Sequence, residues 1–220
     1  MERLEDLCLN GLKIYQDDSL YRFTSDAVIL SRFVRVKKED VVADFCSGSG
    51  IVGIHLYGLN SNIKSVTLFE LQEKLARLSE KSIKLNGLED KFSVVNCKIQ
   101  EISKEYNEKF SLIVCNPPYM EVGRGQSDEQ EEIAICRTEI ALTLSELIDA
   151  VSRCLKFGGR FAMVHRSDRL TDAIVKMREK NIEPKRLQFV SGGDKEPYLV
   201  MIEGVKGGKS GIKVLSTLKN

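Results

Sequence analysis

The sequence lacks several features that point to particular protein classes. It has no tryptophan, only four prolines and only two histidines among 220 residues. None of its six cysteines belongs to a C-x-x-C pair, so we expect reduced thiols and no metal site. It has no apolar run of about 18 residues, and therefore no transmembrane helix is predicted. The acidic start at residues 1–6 is unlike a signal peptide, which predicts a cytoplasmic protein without membrane attachment.

The residues that are present are typical of one globular α/β domain. Hydrophobic residues make up 42% of the chain and charged residues 30%, enough for a substantial core. The formal net charge of +1 conceals an uneven distribution. Residues 121–149 carry two basic and eight acidic side chains, whereas residues 153–220 carry fifteen and seven. A basic C-terminal third suits a nucleic-acid backbone, although lysine-rich helices that only keep a surface soluble give the same pattern.

Apolar runs alternate with helical patterns along the chain. Strands are predicted at 41–46, 65–70, 92–96, 110–115 and 160–165, with helices at 26–36, 51–59, 72–85, 139–154 and 167–180. Residues 186–190 and 198–203, separated by S-G-G-D-K-E-P, predict an antiparallel hairpin at a sheet edge. The alternation predicts an α/β fold with a doubly wound, mostly parallel sheet and right-handed crossovers.

The stretch Asn116-Pro117-Pro118-Tyr119 follows the fourth predicted core strand. Two prolines fix φ and cannot donate hydrogen bonds, and the residue before a proline is pushed toward extended geometry. The result is a stiff corner at the carboxyl end of a strand, where open α/β sheets bind ligands. Such a corner presents Asn116 Oδ1 and the Pro117 carbonyl as fixed acceptors for a planar NH2 group. A strand-ending turn without chemistry is the alternative for this stretch taken alone.

A glycine-rich loop follows the first predicted core strand. Gly48-x-Gly50-x-x-Gly53 lets the backbone approach a ligand, and Glu70 at the next strand end can accept ribose hydroxyls. This pattern serves NAD, FAD and S-adenosylmethionine alike. Asp44, four residues before Gly48, discriminates among them. A carboxylate there disfavours a pyrophosphate and attracts the ammonium or sulfonium of a cationic cofactor.

The combined order of these motifs resembles that of a known enzyme family. D-x-x-x-G-x-G at 44–50, Glu70 and Asn116–Tyr119 are similar to Class I S-adenosylmethionine-dependent methyltransferases that act on amino groups. The finer pattern resembles the tRNA1(Val) (adenine-37-N6)-methyltransferase family, in its short Gram-positive-type relatives. This finer likeness rests on Y-R-F-T-S-D-A-V-I-L at 21–30, C-R-T-E at 136–139, H-R at 165–166, E-P-Y-L-V at 196–200 and E-G-V-K-G-G-K at 203–209.

The resemblance implies a Rossmann-like, seven-stranded sheet with a reversed last strand. It implies one methyltransferase domain over residues 1–220, with residues 1–36 as an N-terminal extension covering the cofactor. Residues 37–203 would then form the core and residues 204–220 a basic tail. It further implies S-adenosyl-L-methionine as cofactor, a nucleic acid (tRNA) as partner, and a monomer or weak homodimer.

The resemblance also assigns roles to individual residues. The implied cofactor-binding residues are Phe23, Thr24, Asp26, Asp44, Gly48, Gly50, Glu70, Leu71, Asn96 and Asn116. The implied catalytic residues are Asn116, Pro117 and Tyr119, with Tyr119 stacking on the flipped base. The implied substrate contacts are Pro118, Tyr119, Arg137, His165 and Arg166.

The sequence departs from the family pattern after the third core strand. Many relatives place an acidic residue there to bind the adenine amine of the cofactor, whereas this chain reads Asn96-Cys97-Lys98. The amide oxygen of Asn96 can accept the same bond, but Lys98 has no acceptor.

Methylation of adenine N6 is the predicted reaction, and other substrates and other protein classes are alternatives. The amide of a release-factor glutamine has the same NH2 geometry, although that family carries a helical domain before its cofactor motif. Only 40 residues precede the first predicted core strand here. Another RNA or DNA adenine is equally compatible with the corner. Asp44 disfavours a NAD-dependent oxidoreductase, and the intact glycines, carboxylates and Asn116 disfavour an inactive RNA-binding protein.

The cofactor prediction is testable by calorimetry. We expect S-adenosylhomocysteine to bind and NADH not to bind, because Asp44 disfavours a pyrophosphate near the glycine loop. Isothermal titration of each compound into the protein measures both outcomes. Binding of NADH alone would overturn the cofactor prediction.

Overall fold

A mostly parallel sheet with helices on both faces organises the chain. The computed structural model describes residues 1–20, 22–118 and 142–220. Its strands are β1 (Glu2–Asp6), β2 (Lys13–Asp17), β3 (Val41–Phe45), β4 (Ser65–Glu70), β5 (Phe92–Asn96), β6 (Phe110–Cys115), β7 (Leu155–Arg166), β8 (Ile182–Ser191), β9 (Pro197–Lys206), β10 (Lys213–Val214) and β11 (Leu218–Lys219). Its helices are α1 (Ser25–Phe33), α2 (Ile51–Leu59), α3 (Glu73–Leu85), α4 (Leu144–Cys154) and α5 (Leu170–Glu179).

The strand order confirms the predicted doubly wound sheet. The strands lie in the order β10-β8-β9-β7-β6-β3-β4-β5, and β11 also pairs with β8. Strand β9 runs antiparallel to both β7 and β8, whereas β3, β4, β5, β6 and β7 pair in parallel. The predicted edge hairpin is therefore β8–β9, and β9 is the reversed strand. The short strands β10 and β11, from residues 204–220, extend the sheet beyond the seven implied strands.

Strand β7 is longer than the strand predicted at 160–165. It begins at Leu155 and includes Phe157-Gly158-Gly159. The pairing of β6 with β7 shifts register between Phe110 and Leu112, and Gly158 has φ of +75°. The glycines therefore accommodate an irregularity inside a long strand, a role that glycine pairs in strands commonly serve.

Each face of the sheet has its own apolar core, because side chains alternate along a strand. Val42 of β3 packs with α1 and α2 on one face, whereas Ala43 packs with α4 and α5 on the other. The central strands are buried on both faces, which explains their continuous apolar runs. Within the described residues, no helix is long and apolar enough to cross a membrane.

The N-terminal hairpin β1–β2 is fastened to α3 by side chains. The Tyr15 N–H donates to Ser82 Oγ at 2.9 Å. The amide of Asn86 accepts from Lys13 N at 3.0 Å and donates to Lys13 O at 2.7 Å. These bonds satisfy one edge of β2 without a strand partner. They hold the hairpin against α3.

Gly53 marks a close contact between α2 and the sheet. A Cβ at this position would lie 2.6 Å from Leu68 Cδ2 and 3.2 Å from Val66 Cγ1. We expect Gly53→Ala to lower the free energy of unfolding by about 1–3 kcal/mol through overpacking, measured by urea denaturation. Gly192→Ala is the control, because a Cβ there meets nothing within 4 Å. Equal stability of the two variants would contradict the proposed contact.

Candidate active site

A cleft opens at the carboxyl ends of β3, β4 and β6. It contains about 810 Å³ of empty space, including its mouth, and its lining is mostly apolar. The loop after β3, the end of β4, the first turn after β5 and the corner after β6 all contribute to its walls. This is the position at which open α/β sheets bind ligands.

The loop after β3 exposes backbone to the cleft. Gly48 has φ of +57°, and a Cβ added there meets nothing within 4 Å. Ser47 N–H donates to Phe69 O at 3.0 Å, which ties the loop to the end of β4. A ligand can therefore approach the backbone at Gly48 closely while the loop stays fixed.

Glu70 braces this loop from the end of β4. Its Oε2 accepts from Gly48 N at 2.8 Å, and its Oε1 accepts from Gln72 N at 2.9 Å. The side chain is buried and lines the cleft. Burial raises the pKa of Glu70, and the backbone donors oppose that rise. Each oxygen keeps a second lone pair, so the carboxylate can also accept from ligand hydroxyls.

Two buried oxygens of the cleft wall lack hydrogen-bond partners among the described residues. They are Asn116 Oδ1, directly after β6, and Ser47 Oγ. An unpaired buried polar group costs about 1–3 kcal/mol. Such atoms in a native structure call for an explanation, and a ligand that donates to them supplies one.

Asp44 lies behind the loop and is fully buried. Its Oδ2 accepts from Gly53 N at 2.8 Å, whereas its Oδ1 has no partner within the described part of the chain. Burial raises the pKa of Asp44 to about 8; Glu70 adds to the rise and the Gly53 donor opposes it. The ligand-free site therefore disfavours the negative charge on Asp44, and a nearby cation would favour it.

The structure brings together part of the predicted site. Predicted residues that line the cleft are Phe23, Gly48, Glu70, Leu71, Asn116 and Pro118. Predicted residues that are not among its lining are Thr24, Asp26, Asp44, Gly50 and Asn96. Pro117 is buried beside the cleft, whereas Tyr119 and Arg137 lie outside the described residues.

The adenine contact predicted at Asn96 has little support in the geometry. The Asn96 amide nitrogen donates to Glu70 O at 2.7 Å and to Leu71 O at 2.8 Å, so the side chain joins two strand ends. The neighbouring Lys98 and Gln100 line the cleft instead. Gln100 offers an amide oxygen that sequence reasoning missed, because a lone glutamine in a short polar turn belongs to no motif.

The substrate contact predicted at His165 stays a prediction, and the structure buries this side chain. The ring is 1% exposed, and Nδ1 accepts from Arg166 N at 3.0 Å. Burial, followed by the nearby Arg169 charge, lowers the pKa of His165 to about 4. A neutral ring carries no positive charge to pair with a phosphate. It lines a small cavity together with Pro117 and Pro118.

Arg166 remains at the surface. Its guanidinium pairs with Asp168 at 2.5 Å, and its side chain is 42% exposed. The Asp168 partner partly offsets the positive charge that a phosphate contact would use. The prediction that Arg166 contacts substrate therefore stays a prediction.

Sequence reasoning also missed Gln16 of β2. This side chain is 1% exposed and hydrogen-bonds to Ser49 and Phe23, both of which line the cleft. A single polar residue in a strand pattern gives no motif. Only the folded chain shows that it meets residues 7 and 33 positions away.

A family model and named relatives both relate this chain to methyltransferases. The model of the methyltransferase small domain family matches residues 24–183. The tRNA1(Val) (adenine(37)-N6)-methyltransferase of Shewanella sp. (strain W3-18-1) is 28% identical over 143 residues, or 64% of this chain and 58% of that relative. The protein of the same name from Shewanella baltica (strain OS185) is 28% identical over 142 residues with the same shares. The matched region thus spans less than two thirds of these relatives.

Solved structures share the fold at low sequence identity. A predicted O-methyltransferase, Atu636 from Agrobacterium tumefaciens, has a TM-score of 0.70 at 16% identity, covering 88% of this chain and 86% of its own. Trm5 of Methanocaldococcus jannaschii, in complex with adenosine, has a TM-score of 0.67 at 18% identity, covering 94% and 56%. These likenesses show that the chain has the Rossmann-like fold of Class I methyltransferases.

The buried Asp44 predicts an unusual dependence of stability on pH. Its pKa is about 8 in the folded chain against an ordinary 3.8, so between these values the folded state holds a proton that the unfolded state has lost. The free energy of unfolding therefore falls as pH rises through this window. We expect Asp44→Asn, which cannot ionise, to gain melting temperature relative to wild type as pH rises from about 5 to about 8. Scanning calorimetry of the ligand-free proteins measures this, and a constant difference would contradict it.

Proposed function

Because the chain belongs to the methyltransferase small domain family, we propose that it methylates adenine N6 in tRNA with S-adenosyl-L-methionine as methyl donor. Asn116 Oδ1 is the atom that carries this proposal. It is a buried acceptor without a partner in the described residues, it lines the cleft, and it follows β6 at a proline-fixed corner. An acceptor held in this way suits an NH2 group that must be oriented for transfer.

The residues of the cleft fit S-adenosylmethionine. The open space at Gly48 and the unpartnered Ser47 Oγ allow contact with a polar ligand beside the loop. Glu70 has free lone pairs for ribose hydroxyls, and Asp44 behind the loop favours a nearby cation over an anion. When bound, the cofactor supplies an electrophilic methyl group on a sulfonium centre.

The corner after β6 acts on the amine by holding its protons. An aromatic amine is a poor nucleophile, because its lone pair is delocalised into the ring. Asn116 Oδ1 accepts one N–H and the Pro117 carbonyl accepts the other, which draws the nitrogen toward tetrahedral geometry. No strong base is needed beforehand, since the alkylated nitrogen becomes acidic. Catalysis then rests on positioning and fixed dipoles, with Tyr119 as the proposed stacking partner of the base.

His165 lies beside the corner. Its buried ring lines a small cavity together with Pro117, Pro118 and Leu147 of α4. The two prolines restrict the backbone of the corner. Asn116 is thus held by this covalent restriction, as a positioned acceptor requires.

The names of the curated relatives support tRNA as the substrate. The basic side chains of residues 153–220 support tRNA binding less strongly than their number in the sequence implies. Among the fifteen basic side chains of residues 153–220, at least nine form an ion pair with an acidic group. Ion pairs offset much of the excess charge that a phosphate backbone would meet. The cytoplasmic location and the monomer or weak homodimer stay predictions.

We expect Asn116→Ala to lower methyl transfer by about 100- to 1,000-fold, the usual cost of removing one preorganised hydrogen-bonding group. The affinity for S-adenosylhomocysteine should stay within about threefold, since the substrate amine alone depends on Oδ1. Asn116→Asp is the matched control, because it keeps an acceptor oxygen and should retain more activity than the alanine variant. Collapse of cofactor binding in Asn116→Ala would contradict this division of roles.

The substrate class is decided by labelled methyl transfer. The protein and labelled S-adenosylmethionine are incubated with total cellular RNA or with total protein, and the labelled RNA is digested to nucleosides. We expect the label to appear in RNA as N6-methyladenosine and not in protein. The Asn116→Ala variant gives the background level of labelling in each reaction. Label in a protein glutamine amide would replace the tRNA proposal with a protein substrate.

A further inference from the structure

We propose that Gln16 is a positioning residue that fixes Phe23 and the glycine loop in the geometry that binds S-adenosylmethionine. This inference rests on the proposed function, because it assigns a role in binding the same cofactor. Gln16 lies on β2 of the N-terminal hairpin and does not line the cleft itself. It acts through two residues that do.

The Gln16 side chain joins two walls of the cleft. Its Nε2 donates to Ser49 Oγ in the glycine loop and to Tyr15 O at 3.0 Å. Its Oε1 accepts from Phe23 N at 3.2 Å. Both amide protons and one oxygen lone pair are therefore used. Ser49 and Phe23 line the cleft from separate parts of the chain.

Burial prevents water from replacing the hydrogen bonds of Gln16. Gln16 is 1% exposed and Ser49 is 3% exposed, so solvent cannot replace the amide in the folded chain. Loss of the amide would leave buried donors and acceptors unpaired, or would let the Phe23 segment move away to find water. Phe23 is half-buried, and its backbone N–H donates to Gln16 of the hairpin.

The hairpin gives Gln16 a fixed base. Ser82 and Asn86 of α3 and its C-terminus bind the backbone of β2 at Tyr15 and Lys13. These contacts are made by the backbone of β2, whereas Gln16 reaches Ser49 and Phe23 with its side chain. Gln16 is thus the polar link between a segment anchored on α3 and the wall of the cleft. A ligand meets a wall that is already ordered, and this lowers the entropic cost of binding.

The test compares Gln16→Met with wild type. Methionine has a similar length but cannot make the three hydrogen bonds. We expect the Kd for S-adenosylhomocysteine, measured by calorimetry, to rise roughly tenfold, as loss of a buried hydrogen bond predicts. The KM for S-adenosylmethionine should rise by about the same factor, while kcat at saturation stays within about twofold.

Asn86→Ala is the matched control. It removes another amide that fastens the same hairpin, but one that contacts no residue of the cleft. We expect it to lower the melting temperature and leave the Kd for S-adenosylhomocysteine within about twofold of wild type. A Kd that rises equally in both variants would mean that Gln16 only stabilises the hairpin, and would overturn the proposal.

Hydrogen exchange separates a local loss of contact from general destabilisation, because it compares individual N–H groups. The Phe23 N–H is protected by its bond to Gln16 Oε1, so Gln16→Met should speed exchange at Phe23 more than at Tyr15. Asn86→Ala should leave exchange at Phe23 unchanged. Equal exchange at Phe23 in wild type and Gln16→Met would overturn the link.

A second variant covers the case in which Gln16→Met does not fold. Gln16→Asn keeps the amide, but its side chain is one methylene shorter and cannot reach both Ser49 and Phe23. Unchanged Kd in a folded Gln16 variant overturns the positioning role alone. Failure of wild type to bind S-adenosylhomocysteine overturns the proposed function itself, so the two failures are distinguishable.

Discussion

The parallel register of three central strands fixes where chemistry can occur in this molecule. Phe45 of β3 pairs with Phe69 of β4 and with Cys115 of β6. Because these strands are parallel, the segments that follow them leave the sheet side by side. Glu70 and Asn116 therefore reach one cleft from positions 46 residues apart in the sequence. The apolar faces on both sides of the sheet hold this register, since a slip of one residue would exchange the two cores.

Among the described residues, some polar groups at this edge of the sheet have hydrogen-bond partners and others have none, and this difference indicates their roles. Each carboxylate oxygen of Glu70 accepts a hydrogen bond from the backbone, and Glu70 so stabilises the loop before any ligand arrives. Asn116 Oδ1, Ser47 Oγ and Asp44 Oδ1 are buried without partners in the described ranges. Together these atoms make the ligand-free fold less stable than it could be. A ligand with donors and a positive charge relieves that cost, which couples binding to stability.

The fold and the centre of the site could be predicted from sequence, because both depend on local patterns. Apolar runs of five or six residues separated by helical periods specify parallel strands, and strand ends followed by glycine or proline specify loops at one edge. Glu70, Gly48 and Asn116 were found in this way. The burial of His165 could not be predicted, because it depends on residues that are distant in the sequence. Gln16 was missed, because its partners lie on other elements.

The segment before the sheet also contributes to the cleft. Phe23 lines the cleft together with residues that follow β3, β4 and β6. Gln16 of the hairpin on α3 hydrogen-bonds to Phe23 and to Ser49 of the glycine loop, so it joins two parts of this lining. The lining combines the apolar ring of Phe23 with polar groups at Glu70 and Asn116. A hydrogen bond made where water is excluded is stronger than one made in solvent, so the residues that close the cleft matter as much as those that bind.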